Sequence, residues 1–273
     1  MSRSLILLVA GTVLVSAGAF SGSDRAPSTT ASQAGNLRFT ILYDNYLFKE
    51  GTKADWGFSC LIEGTEKTIL FDTGTKPEIL MNNVGVLGVD LGKVELIVIS
   101  HNHGDHTGGL AAVLEKNPKV TVFHPVSFPP EFAAQVKKLK AEARAVDKPV
   151  EICRGVFLTG ELGDAIKEQS LIIDAPKGSV VVTGCSHPGI VGILERARGI
   201  VARPIDLVFG GFHLNAATPA QMETVIAGFR KIGVARCGAT HCTGDAQIAM
   251  IKKAFGENYV PLGTGRILEL PAR

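Results

Sequence analysis

Short apolar runs and longer amphipathic stretches alternate along residues 37–273, and the change of period marks the elements. Runs of three to seven residues rich in Val, Ile, Leu and Phe predict strands over 37–43, 59–63, 68–71, 95–99, 120–124, 171–173, 180–183, 206–209 and 267–270. Apolar residues at helical spacing predict helices over 76–83, 106–115, 130–145, 189–198, 219–232 and 245–255. Such interleaving describes an α/β protein, and the pattern fits an open doubly wound sheet and a sandwich of two sheets equally well.

The first 36 residues follow a different pattern. Arg3 precedes an apolar stretch over 5–19 that ends in Ala17-Gly18-Ala19, the small-x-small pattern of an export signal. The alternative is an N-terminal membrane anchor, but this stretch is short of the ~20 apolar residues needed to span a bilayer. Residues 20–36, rich in Ser, Thr, Ala and Gly, read as a disordered linker. The expectation is an exported protein, periplasmic or extracellular, without stable membrane association once the signal is cleaved. Residues 37–273 then make one domain.

Charge adds little. The chain carries 28 basic and 26 acidic residues for a net +2, which gives no footprint for nucleic acid. Lys137, Lys138, Lys140 and Arg144 lie on the predicted helix 130–145, either as its wet face or as cations overhanging a site. Five cysteines cannot all pair within the chain, and Cys237 with Cys242 is the pair to test for a disulfide. The oligomeric state does not follow from the sequence.

The chemistry is concentrated at Ser100-His-Asn-His-Gly-Asp-His-Thr-Gly-Gly109, directly after the apolar run Leu96-Ile97-Val98-Ile99. Of seven histidines in the chain, three fall within positions 101–106, which a solvated loop has no reason to concentrate. Imidazole nitrogen and carboxylate oxygen suit borderline divalent cations, and alternate residues of an extended segment face the same way. His101 and His103 can therefore grip one ion, with Asp105 and His106 facing a neighbouring position.

This His-x-His-x-Asp-His motif with its Thr-Gly-Gly tail resembles the signature of the metallo-β-lactamase superfamily of metallohydrolases. The likeness extends to Thr68-Ile-Leu-Phe-Asp-Thr-Gly74, Thr183-Gly-Cys-Ser-His187, Gly210-Gly-Phe-His213 and Thr240-His-Cys-Thr-Gly244, in the expected order. Within the superfamily these motifs resemble the branch named for 7,8-dihydropterin-6-yl-methyl-4-(β-D-ribofuranosyl)aminobenzene 5′-phosphate synthase. The resemblance implies an αββα sandwich, two mixed β-sheets face to face with helices outside.

It also implies two divalent metal ions, zinc first, with manganese or iron as alternatives. His101, His103 and His187 would hold one, and Asp105, His106 and His241 the other. Dinuclear members usually supply a bridging Asp between the last two histidines, and Gly210-Gly211-Phe212-His213 offers no carboxylate there, with Asp206, four residues earlier in the strand, read as structural. His213 is the expected replacement, as ligand or as donor to substrate, and Cys185 and Cys242, inside the motifs of His187 and His241, are expected close to the metal pocket with ligation by either left open. Asp105 is expected to steer or deprotonate the water, and Asp72 to orient a ligand histidine. Trp56 is placed either at the pocket mouth, facing a flat substrate ring, or in the core. Asp44-Asn45 reads as a turn or a pocket wall, and His124 as structural.

The implied activity is hydrolysis of an ester, phosphoester or related bond of a small anionic substrate by a metal-bound hydroxide. Alternatives are a transferase acting on a dihydropterin diphosphate and a mononuclear iron oxidoreductase of sulfur compounds.

Overall fold

The structure is a computed structural model, and it describes residue 1 and residues 36–271. The expected export signal and nearly all of the linker lie outside the described residues. Among those described, no helix is long and apolar enough to cross a membrane.

The strands in the first half are β1 (Leu37–Tyr43), β2 (Ser59–Glu63), β3 (Ile69–Phe71), β4 (Leu96–Val98), β5 (Thr121–Pro125) and β6 (Glu142–Val146). The second half carries β7 (Val150–Cys153), β8 (Val156–Leu158), β9 (Leu171–Ala175), β10 (Gly178–Thr183), β11 (Ile205–Gly211), β12 (Arg236–Thr240) and β13 (Ile267–Leu270). The helices are α1 (Pro77–Leu87), α2 (Gly104–Thr107), α3 (Leu110–Lys116), α4 (Pro130–Lys138), α5 (Ile190–Ile200), α6 (Pro219–Ile232) and α7 (Asp245–Phe255).

One sheet runs in the order β13-β1-β2-β3-β4-β5-β6 and the other β12-β11-β10-β9-β8-β7. Side chains alternate across each strand and so divide the core into three layers. Ile69 and Phe71 point between the sheets, where Val180 and Val182 meet them, and Phe39 packs edge-on against Phe209 with centroids 5.3 Å apart. Leu70 faces the opposite way, toward Leu80 of α1 and Val113 of α3. Val181 likewise faces α5 and α6 through Ile193 and Phe229. This is the αββα sandwich with two mixed sheets, and it resolves the choice left open by the element pattern.

Parallel pairing positions the site. β3 to β6 run parallel, as do β10 to β12. Each parallel step needs a helical crossover, so the loops leaving the carboxyl ends of β3, β4, β10, β11 and β12 all emerge at one edge.

Two helices differ from expectation. The helix expected over 130–145 stops at Lys138: Lys140 takes φ 67° and Glu142–Val146 pairs with β5 as a sheet-edge strand. Its apolar residues had matched helical spacing, but β5 offers that segment a ladder of backbone hydrogen bonds, which overrides a weak propensity. The helix expected over 106–115 is broken at Gly108-Gly109, where any side chain would strike the carbonyls of Thr75 and Thr73. The strands β7, β8 and β12 carry no strong apolar run and were not anticipated.

Candidate metal centre

The side chains expected to hold metal, with Asp72 and His213, lie on the loops at that shared edge. Asp72 follows β3, Ser100 to His106 follow β4, Cys185 to His187 follow β10, His213 follows β11, and His241 follows β12. Among the described residues, five that are not glycine have positive φ, and four of them are Asp72 (53°), Ser186 (65°), His213 (50°) and His241 (52°). Left-handed backbone at such residues persists only where surrounding contacts over-determine it.

The loops gather their donor atoms into overlapping groups. His101, His103 and His187 form one; Asp105, His106, Cys185 and His241 form a second; within each, the donor atoms lie within 4.8 Å of one another. The His101 and His106 rings, one from each group, have centroids 4.2 Å apart.

Outer hydrogen bonds fix which nitrogen each imidazole presents. His106 Nδ1 lies 2.7 Å from Asp72 Oδ2, a carboxylate oxygen that accepts, so Nδ1 carries a proton and Nε2 is the nitrogen turned into the site. His241 Nδ1 donates to Asn45 Oδ1 at 2.9 Å, leaving its Nε2 bare 3.3 Å from Asp105 Oδ2. Ser100 donates its hydroxyl to Asp72 Oδ2 at 2.7 Å and so accepts from His101 Nδ1 at 2.9 Å, which bares His101 Nε2. His187 Nε2 is buried and has no hydrogen-bond partner among the described residues. Inward-facing imidazole nitrogens beside a thiol and a carboxylate fit a divalent transition ion in each group.

Electrostatics divides the rings. Burial, then the neighbouring imidazoles, hold His101 well below the usual histidine range and take His187 down to about 4, so both are neutral ligands in waiting. Burial opposes charge on His106, but the Asp72 carboxylate overcomes it and raises the ring to about 9, so without an ion its Nε2 also carries a proton, which a bound metal would displace. Burial likewise opposes ionisation of Asp105, yet His241 and His106 hold it well below the carboxylate range.

A sequence model of the metallo-β-lactamase superfamily matches residues 57–235. The chain belongs to the metallo-β-lactamase superfamily. It is 29% identical to the 7,8-dihydropterin-6-methyl-4-(β-D-ribofuranosyl)-aminobenzene-5′-phosphate synthase of Methanocaldococcus jannaschii, over 86% of this chain and 97% of that protein. A solved metal-dependent hydrolase of the β-lactamase superfamily superposes with TM-score 0.73 at 26% identity, covering 86% of this chain and 99% of the other. A diphosphatase of the PhnP family shares the fold, with TM-score 0.60 at 16% identity over 87% and 98% of the two chains.

Within this superfamily fold, three residues stand at the centre in roles that sequence reasoning missed or left undecided. Cys185 Sγ lies 3.3 Å from His106 Nε2 and 3.4 Å from His241 Nε2. Trp56, 50% exposed, donates its indole N–H to Asp105 Oδ2 at 2.8 Å and rests its ring 5.0 Å from that of His241, which puts it at the mouth of the site rather than in the core. Glu168, fully buried, accepts the backbone N–H groups of Cys185, Ser186 and His187 at 2.8–2.9 Å and so clamps the turn that aims two donors. Nothing in the local sequence around Glu168 signals that task, because its partners are backbone groups distant in the chain.

Other expected residues find their places. His213 stands exposed at the rim with its ring 4.2 Å from that of His187. Asp44 is buried beneath the site, where Thr240 donates its hydroxyl to both carboxylate oxygens. Asp206 pairs with Arg236 at 2.6 Å inside the sheet, and His124 packs on Phe128 and Phe132. A groove of about 300 Å³ between α3 and α4 opens beside Asn102 and Thr107 of the metal loop. α4 lines it with Glu131, Phe132, Gln135 and Val136, while Lys137 and Lys138 are exposed and do not line it, which makes them the wet face.

The suggested Cys237–Cys242 bridge is absent, and all five cysteines are free. Cys237 is buried in β12 against the outer helices, whereas Cys242 belongs to the following loop and approaches the Cys185 carbonyl at 3.6 Å.

Proposed function

We propose that this protein is a metal-dependent hydrolase that cleaves an ester or phosphoester bond of a small anionic substrate. The observation that carries this reading is the meeting of two donor groups, one of three imidazoles and one with a carboxylate, at a single edge of the sandwich. A divalent ion bound there supplies Lewis acidity and brings the pKa of a coordinated water from 15.7 to about 7.

The chain's own residues orient and move protons around that chemistry. Asp105, held from one side by the Trp56 N–H, is placed to steer the attacking water or take its proton. Hydrogen bonding to Cys242, the largest cause, raises the pKa of His213, and its ring at the rim is placed to meet the anion or protonate the leaving oxygen. Asp72 and Asn45 keep the imidazoles in register.

A second reading is transfer onto a dihydropterin diphosphate. The Methanocaldococcus jannaschii relative favours it, and so does Trp56, a half-exposed aromatic face at the mouth that suits a flat ring.

The deciding experiment loads the purified protein with zinc, manganese or iron and assays bis(p-nitrophenyl) phosphate and p-nitrophenyl acetate. Metal-dependent turnover that His103→Ala abolishes supports the hydrolase. No turnover of either probe, with diphosphate released from a dihydropterin diphosphate only when an arylamine is present, supports the transferase.

A further inference from the structure

We infer that the Cys185 thiolate is a metal ligand of this centre, joining Asp105, His106 and His241 at the junction where a carboxylate is missing. The inference rests on the metal-dependent reading above.

Position carries it. Cys185 is the one residue that belongs both to the group with Asp105, His106 and His241 and to a further group with His187 and His213. It therefore lies within reach of His187 on one side and of His106 and His241 on the other. Its sulfur is 3.3 and 3.4 Å from two Nε2 atoms, each turned inward by the outer hydrogen bond on its own Nδ1. Imidazole nitrogens converging on a sulfur at those distances are arranged as ligands around a common ion.

The backbone explains why the donor comes from β10 and not from β11. A Cβ at Gly211 would strike the Gly184 carbonyl and come within 2.7 Å of Cys242 Sγ, and one at Gly210 would strike the Thr183 carbonyl. β11 packs too closely on β10 for either position to project a carboxylate. The sulfur on the adjacent loop occupies the junction instead, with its backbone held by Glu168 at 2.9 Å. A thiolate among imidazoles selects zinc, iron or cobalt over magnesium or calcium. On binding, the thiol proton leaves to solvent and a sulfur–metal bond forms, with no change of oxidation state.

The test is cobalt(II) titration of the chelator-stripped full chain, read by absorption. Wild type is expected to show visible ligand-field bands together with a near-ultraviolet thiolate-to-cobalt charge-transfer band. Cys185→Ser is expected to lose the charge-transfer band while keeping ligand-field bands from the three-imidazole group, and Cys242→Ser is expected to keep both. A charge-transfer band that survives in Cys185→Ser, or ligand-field bands in wild type without any charge-transfer band, overturns the assignment while leaving the metal-dependent reading intact. No cobalt bound at all defeats both. Should Cys185→Ser fail to fold, X-ray absorption of the zinc-loaded wild type decides: a sulfur shell at about 2.3 Å supports ligation, and a purely nitrogen and oxygen shell refutes it.

Discussion

Asp72 Oδ2 lies 2.7 Å from His106 Nδ1 and also accepts the Ser100 hydroxyl at 2.7 Å, so one buried carboxylate orients His106 directly and His101 through Ser100. It thereby holds one imidazole in each donor group. Its own backbone is fixed by the bond from its N–H to the Val98 carbonyl of the neighbouring strand.

Asp72→Asn puts an N–H where an acceptor is needed and misdirects both rings. Metal affinity is expected to fall by about 10- to 100-fold at both sites, measured by chelator competition. A loss confined to one site would show that Ser100 positions His101 without help from Asp72.

Trp56 is the one tryptophan in the chain, and its ring lies against His241. Cobalt or copper binding should therefore quench most of the intrinsic tryptophan emission at the stoichiometry of the site. Trp56→Phe retains the ring and removes the donor to Asp105, and the group containing Asp105 is expected to bind metal about 10-fold more weakly. Unchanged affinity would limit Trp56 to contacting substrate.

His213 sits on the rim, and the outer hydrogen bonds of the other histidines do not depend on it. His213→Gln is expected to keep its metal content while kcat/KM for the diester falls by about 10²-fold or more, the contribution of a positioned proton donor. Loss of metal instead would make His213 a ligand.

Burial pushes Asp44 up from 3.8 to about 7 despite the Thr240 hydroxyl on its oxygens. Between those values the folded protein holds a proton that the unfolded chain has released. Raising the pH therefore favours unfolding, and stability falls by at most about 1.4 kcal/mol per pH unit from this group, flattening above pH 7. Glu168, raised to about 7 by burial, acts in the same direction. Urea unfolding of the metal-free protein between pH 4.5 and 8 should show this fall, and Asp44→Asn should make it shallower. Equal slopes in the two proteins would mean that Asp44 is already ionised in the fold.

The sequence by itself determined the metal loop, because His101, His103, Asp105 and His106 are local and their spacing on a strand-end loop is a property of a few consecutive residues. It also set the limits of β1, β2, β13, α6 and α7, where apolar period and end signals agree, as in the Thr218–Gln221 capping box and the left-handed Gly233 that close α6. Only the tertiary structure decided β6, where pairing with β5 prevails over helical spacing in a polar segment. It alone brought Glu168 beneath the Cys185 turn and Trp56 over Asp105, and it separated Cys237 from Cys242 on either side of a strand end. Those relationships depend on which strand edge lies beside which, and hydrogen bonds between residues far apart in the chain leave no periodic trace in the sequence.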